Sequence, residues 1–238
     1  WKAHYSDPSK EAPPIHVKQK ERCEALYNWD KKRSPSQSAE YKIPRIIHQI
    51  WLGSEVPKKY EEWIASWQNW SGWEYKLWNE KEVSSLNLRN AAAYASAKNF
   101  GEKSDILRYE ILHQFGGIYV DTDVHCFNRD FFEFAHTQYG FFIGIEPIET
   151  CLTFCCGNAL MASAPHHPMI CKIIDNLEPY IHQHPNQDTI IKTGPRYISK
   201  TVIDNMHLML EDGIIFPPTF FYPIPVFEDP HIHMYKRP

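Results

Sequence analysis

The chain has 238 residues, 43% of them hydrophobic and 23% charged, with a formal net charge of −4 at pH 7. That length can enclose one sizeable core, and the composition is that of an ordinary globular chain. The acidic balance, with no basic block beyond Lys31-Lys-Arg33, argues against a nucleic-acid partner, and no run of about 18 apolar residues offers a membrane span.

Residues 1–40 are polar and carry Pro, Lys and Ser, with one helix expected over 17–30. They read as an N-terminal helical or irregular appendage to a main domain over 41–238. The chain starts at Trp1 rather than Met, so trimming is expected, and membrane association is expected only through segments outside it. Ile43-Pro-Arg-Ile-Ile-His-Gln-Ile-Trp51 reads as a buried strand closed by Gly53 and Pro57. Residues 58–70 place Tyr60, Trp63, Ile64 and Trp67 on one helical face. Glu74-Tyr-Lys-Leu-Trp78 alternates as a second strand, and 89–98 and 101–115 read as helices.

Ser104 to Asp123 carries the chemistry. At roughly 100° per residue, Leu107, Ile111, Phe115 and Leu112 form an apolar arc, with Glu110, His113 and Gln114 facing elsewhere. Arg108 falls inside that arc and Asp105 at its edge, three residues apart and able to touch. Burying such charges unpaired costs several kcal/mol each, so they form either a structural ion pair or a pair directed at a polar ligand. Gly116-Gly117 ends the helix, and Ile118-Tyr-Val120 reads as a short core strand. With period 2, Tyr119, Asp121 and Asp123 project to one side, Ile118 and Val120 to the other. Two carboxylates on one side of a strand end repel unless a hard divalent cation, Mg²⁺ or Mn²⁺, lies between them.

Farther on, 139–145 and 157–162 read as strands, 167–182 and 196–210 as helices, and 213–216 and 220–222 as short strands. Strands alternating with helices predict an α/β fold with a mixed, largely parallel sheet flanked by helices. Asp121 and Asp123 then lie at a strand's carboxyl end, where such sheets bind ligands. Aromatics reach 14%, which suits sugar or base stacking as well as core packing. The six cysteines have no zinc-finger spacing, and His166-His167, His182-Gln-His184 and His231-Ile-His233 read as surface turns rather than metal sites. Asn69-Trp-Ser71 is a glycosylation sequon of consequence only in a secretory lumen.

Taken together, Ile43 to Trp51, Gly72 to Trp78, Ser104 to Asp123, Gly157-Asn158, Thr193-Gly-Pro195 and Phe221-Tyr-Pro223 resemble the DxD-containing retaining glycosyltransferases of the GT-A (Rossmann-like) fold. The closest likeness is to the family of the yeast Golgi initiating α-1,6-mannosyltransferase and bacterial capsular polysaccharide transferases. The glucosyltransferase domains of clostridial toxins are more distant. The resemblance implies transfer of a hexose from UDP-glucose, UDP-galactose or GDP-mannose to a glycan, lipid or protein acceptor, with Mn²⁺ or Mg²⁺ as cofactor. It implies the Golgi lumen for a eukaryotic member and the cytoplasm for a bacterial one.

It also implies residue roles. Trp51 would stack on the donor base, the alternative being a core Trp at a strand end. Ser104, Asp105 and Arg108 would bind the donor sugar, and Tyr119 would lie along the sugar and diphosphate. Asp121 would meet ribose, sugar and, through water, the metal. Asp123 would ligate the metal directly, and Asn158 would face the reacting carbon. Asp105, Arg108, Asp121 and Asp123 form the expected catalytic set, with no covalent nucleophile assigned. Family members carry a His/Trp-rich C-terminal segment with a Ser-Trp pair. Here the chain reaches Lys236-Arg-Pro238 without one, so the domain is expected to lack its C-terminal end. Two rivals are a catalytically silent nucleotide-sugar-binding module and an Asp-x-Asp phosphatase. The phosphatase motif carries Thr or Val four residues after its first Asp, where this chain has His125.

Overall fold

A computed structural model describes residues 40–147 and 155–222, together with Glu21, Ala25, Asn28 and Asp30, which are helical. The strands are β1 (Ile46–Ile50), β2 (Glu74–Trp78), β3 (Gly117–Val120), β4 (Phe141–Ile145), β5 (Cys156–Ser163) and β6 (Gly213–Phe216). The helices are α1 (Glu61–Trp67), α2 (Glu80–Val83), α3 (Ala91–Ser96), α4 (Phe100–Phe115), α5 (Arg129–Gln138), α6 (Pro168–Gln183), α7 (Thr189–Lys192), α8 (Pro195–Asp204) and α9 (Pro218–Phe221). Single 3₁₀ turns precede α1 and β6.

The strands form one six-stranded sheet ordered β2-β1-β3-β5-β4-β6. β1 pairs in parallel with β2 and β3, and β4 with β6, while β5 runs antiparallel to both neighbours. The expected mixed, largely parallel α/β sheet is therefore present.

The pleat sorts its side chains as period 2 requires. Ile118 and Val120 enter a core with Ile47, Trp67, Trp70, Phe132, Phe142 and Phe216. Tyr119 enters the opposite core with Leu107, Ile111, Ile143, Met161 and Ile215. Much of the aromatic content is packing of this kind. Trp67 stacks on Trp70 at 5.4 Å, and Phe132 meets Trp67 edge-on at 5.1 Å.

Helix α4 differs from its expected form. Glu110 and His113, predicted to face away from the core, are buried, as are Glu102 and all residues from Asp105 to Leu112. The reason is α6, whose apolar residues Ile170, Ile174 and Leu177 join the same core and cover the face assigned to solvent. Glu110 is satisfied there by capping α3: its carboxylate accepts the Arg89 N–H at 3.1 Å and the Asn90 N–H at 2.8 Å.

Two glycines then turn the chain into β3. Gly116 and Gly117 have φ of 64° and 98°, and a Cβ on Gly117 would lie 2.5 Å from the Ile46 carbonyl oxygen. Only glycine meets both demands. The strand expected at 220–222 is instead part of α9 and the residue after it. Pro218 occupies a first-turn position, where its fixed φ and missing N–H favour a helix start. Three short elements, α2, α5 and α7, went unpredicted. Among the described residues no helix is long and apolar enough to cross a membrane.

Candidate active site

Strand β3 ends at Val120, so Asp121 leaves it at the carboxyl edge, and its N–H still donates to the Ala159 carbonyl of β5 at 2.8 Å. Thr122 and Asp123 belong to the turn that follows, closed by the Val124 N–H on the Asp121 carbonyl at 3.2 Å. Period-2 alternation therefore places Tyr119 and Asp121 together but stops short of Asp123, which the turn positions. The Tyr119 hydroxyl donates to Asp121 Oδ1 at 2.6 Å. Gln49, at the end of β1, donates to the Asp121 carbonyl at 3.2 Å and fixes the backbone from the other side.

Arg108 is the hub. Its Nη1 lies 3.1 Å from Asp121 Oδ1 and donates to the Asn158 carbonyl at 2.6 Å. Its Nη2 pairs with Asp105 Oδ1 at 3.1 Å, and its Nε donates to the Ser104 carbonyl at 3.3 Å. The guanidinium also lies over the Tyr119 ring, 4.5 Å from the centroid. Asn158, from β5, returns its side-chain amide to Asp105 Oδ1 at 2.8 Å and to the Tyr109 hydroxyl at 3.0 Å. One buried cluster thus joins Asp105, Arg108, Tyr119, Asp121 and Asn158, with Ser104 contributing its carbonyl.

Two further members were not foreseen. Thr193 donates its hydroxyl to Asp105 Oδ2 at 2.8 Å, and the Tyr109 hydroxyl donates to the Thr193 carbonyl at 2.7 Å. The Thr193-Gly-Pro195 turn was visible in sequence without a role. Gly194 permits the approach, since a Cβ there would sit 3.3 Å from Asp105 Oδ2. Tyr109 carried a weaker signal: as i+4 to Asp105 it shares that helix face.

Burial pushes the Asp105 carboxyl up to about 6, against the opposing pull of Arg108 and the Thr193 hydroxyl. Burial works against the Arg108 charge as well, but Asp121, Tyr119 and Asp105 more than offset it and hold the guanidinium protonated. Asp123 is exposed, yet its carboxyl is also raised, first by local desolvation and then by the Asp121 charge. Among the described residues it has no ion-pair partner. Three carboxylates therefore face one guanidinium, with Lys59 also acting on Asp123, and this surplus of hard oxygen charge suits a divalent cation.

Trp51 stands apart from the cluster, just past β1. It is half-buried, with its ring 5.2 Å from that of Tyr60 and its indole N–H donating to Ser54 Oγ at 3.3 Å. It is no part of either main core. Tyr222 comes near from the far end of the domain. Its hydroxyl accepts the Leu160 N–H at 3.2 Å, and Gly157 leaves room for it, since a Cβ there would meet that hydroxyl at 2.6 Å. His231 and His233 lie outside the described residues.

Residues 53–131 match the family described as the glycosyltransferase sugar-binding region containing DXD motif. The chain is 32% identical over 174 residues to inositol phosphoceramide mannosyltransferase 2 of Schizosaccharomyces pombe, covering 68% of this chain and 47% of that protein. Inositol phosphoceramide mannosyltransferase 1 of the same organism is 26% identical over 168 residues, covering 66% and 50%. The catalytic domain of alpha-toxin from Clostridium novyi superposes with a TM-score of 0.56 at 9% identity, covering 85% of this chain and 84% of that one, which shows a shared fold. The fold is thus that of the GT-A class, and residues 53–131 are similar to the DXD-containing sugar-binding region of glycosyltransferases. The chain spans about half the length of the curated relatives it matches.

Proposed function

We propose that this chain transfers a hexose, with retention, from a nucleoside-diphosphate sugar to a glycan or lipid acceptor. The observation that carries this reading is Arg108 bridging Asp105 and Asp121 beside the exposed Asp123, at the carboxyl end of a central strand. A silent binding module has no evident use for that arrangement. Burying several charges around one guanidinium costs more than a hydrophobic substitute would, and a polar substrate gives it a purpose.

Asp123 would hold Mn²⁺ or Mg²⁺ directly, and Asp121 would do so through water. The cation would neutralise the diphosphate as the anomeric C–O bond breaks. Arg108 keeps Asp121 oriented and offers one remaining N–H toward a sugar hydroxyl. Asp105 retains acceptor capacity for another, with its carboxylate held by Thr193 and Asn158. The Asp121 and Asp105 charges favour the oxocarbenium-like sugar as positive charge develops. Trp51 would stack on the base, Ser104 and Tyr119 would line the sugar, and Asn158 would meet it near the reacting carbon.

The relatives' names favour mannose as the sugar and an inositol-phosphate ceramide as the acceptor. The test is release of nucleoside diphosphate from GDP-mannose, UDP-glucose and UDP-galactose, with Mn²⁺ or chelator, in the presence and absence of inositol phosphoceramide. Cation-dependent turnover of one donor, stimulated by acceptor, is expected. Turnover of a simple phosphomonoester instead, or full turnover in excess chelator, would overturn the proposal.

A further inference from the structure

At the opposite end of α4 from Asp105, about 12 Å along the helix axis, lies a second cluster that the transferase site does not use. His113 Nε2 and His166 Nδ1 face each other at 3.3 Å, with their rings at 89°. One donor atom from each of His113, His166 and Cys171 falls within 4.8 Å of the others. These residues come from three places: the last turn of α4, the β5–α6 connection and the first turn of α6. We propose that His113, His166 and Cys171 form a site for a single zinc-class divalent ion that clamps α4 to α6.

The geometry is that of ligands around a small tetrahedral ion. Two nitrogens at a zinc–nitrogen distance of about 2.05 Å are about 3.3 Å apart at the tetrahedral angle. Two imidazoles plus a thiol are a donor set for borderline-soft Zn²⁺ rather than for the hard ions suited to Asp123. Without an ion the arrangement is poorly satisfied. The two facing ring nitrogens can share at most one hydrogen between them.

The backbone is committed to the arrangement as well. His166 adopts a positive φ of 56°, a left-handed conformation that few residues other than glycine take. That conformation comes with its N–H on the His113 carbonyl at 3.1 Å, while the Cys171 thiol points to the His166 carbonyl at 3.4 Å. The fourth position is left to water, with an acidic side chain nearby. Asp175 lies one helical turn after Cys171 on α6, acts electrostatically on both His113 and Cys171, and pairs through Oδ1 with Arg89 at 2.7 Å. Its charge would favour a cation there, and a water would complete four-coordination. His166 lies in an exposed turn, as expected from sequence, but its partners in this cluster lie 53 residues upstream and in the helix that follows.

Titrating the reduced, chelator-stripped 238-residue chain with Co²⁺ tests the site. A thiolate-to-cobalt charge-transfer band should grow and saturate at one equivalent, and Zn²⁺ should bleach it. Asp123→Asn should leave the band unchanged, Cys171→Ser should abolish it, and His113→Gln should weaken Co²⁺ binding at least tenfold. Zn²⁺ should raise the melting temperature of the wild type and of Asp123→Asn, but not of Cys171→Ser. Zinc-edge X-ray absorption of the wild type should show one sulfur neighbour, which keeps the test independent of whether the variants fold. No band in folded wild-type protein, a band that survives in Cys171→Ser, or a zinc shell without sulfur would overturn the proposal.

Discussion

Helix α4 buries two ion pairs about one turn apart, and they do different things. Glu102 pairs with Lys192 of α7 at 3.1 Å, and its other carboxylate oxygen accepts the Lys98 N–H at 2.9 Å. Asp105 pairs with Arg108 at 3.1 Å, but Arg108 continues to Asp121 at the strand end, beside a carboxylate that reaches solvent. The first pair ends within the fold, where it ties α7 to α4. The second would form the inner wall of the proposed site. A buried charge on a core helix therefore does not by itself mark a functional residue; its connection to an open polar edge is what the proposed site rests on. Glu110 makes the same point, as a fully buried carboxylate spent on capping α3.

The sharpest way to break this contrast is at the exposed end. Asp123→Asn should lower donor turnover by about a hundredfold or more, since several kcal/mol of leaving-group stabilisation is at stake. Its melting temperature should be unchanged or higher, because the substitution relieves repulsion from Asp121. Steady-state rates with Mn²⁺ alongside a thermal melt check both halves. A large drop in melting temperature would make Asp123 structural and erase the distinction.

The two ion pairs can then be compared directly. Lys192→Ala and Arg108→Ala each strand a buried carboxylate, so each should cost about 3–5 kcal/mol in chemical denaturation. At a temperature where both stay folded, Lys192→Ala should keep donor turnover within about twofold of wild type, and Arg108→Ala should lose nearly all of it. If the guanidinium organises the sugar contacts, bare nucleoside diphosphate should still bind Arg108→Ala. Equal loss of activity in both variants would make the Asp105–Arg108 pair a scaffold like its neighbour.

How far the sequence disclosed this depends on the range of the interaction. Asp105, Arg108, the glycine turn, Tyr119 and Asp121 lie within one helix–strand unit, and local periodicity placed them correctly. Asn158 and Thr193 are 53 and 88 residues from Asp105. The first was reached through family resemblance, and the second appeared only as part of a turn motif. The error on Glu110 and His113 has the same origin. Their solvent face was inferred from a single apolar arc, whereas α6 packs on that face and leaves α4 buried almost all round. The covering helix cannot be read from the pattern of the helix it covers.

Buried polarity of the structural kind should also show in the pH dependence of stability. His48 accepts the Trp78 indole N–H on Nδ1 at 3.1 Å and donates from Nε2 to the Gly116 carbonyl at 2.9 Å, which fixes a neutral ring. Burial lowers its pKa to about 4. Between pH 6.5 and 4 the unfolded chain takes up a proton that the native ring refuses, so stability falls as pH drops through that window. A shift of that size corresponds to about 3 kcal/mol. Urea melts at pH 7 and 4.5 should show His48→Asn losing less stability on acidification than wild type. Parallel losses would remove His48 from the structural set.

Trp51 gives the smallest expected effect and the finest test of where the site ends. Unlike Trp67 and Trp70, which are buried in the aromatic core, it is half-buried at the carboxyl edge of β1 and touches mainly Tyr60 and Ser54. A core tryptophan cut to alanine costs about 3–5 kcal/mol of stability. Trp51→Ala should cost clearly less, because the ring is only partly buried and belongs to neither main core. If the ring stacks on the donor base, the loss should appear in binding instead, at about 1–3 kcal/mol by analogy with other base–aromatic contacts. Calorimetry with UDP and GDP should then show roughly tenfold weaker binding for Trp51→Ala, with Trp51→Phe recovering part of it. Trp67→Ala should give the opposite pattern, a large drop in stability with nucleotide affinity kept in whatever protein remains folded. Unchanged nucleotide affinity in a folded Trp51→Ala variant would move the base-binding surface away from β1, leaving the cluster around Arg108 to hold the sugar and diphosphate alone.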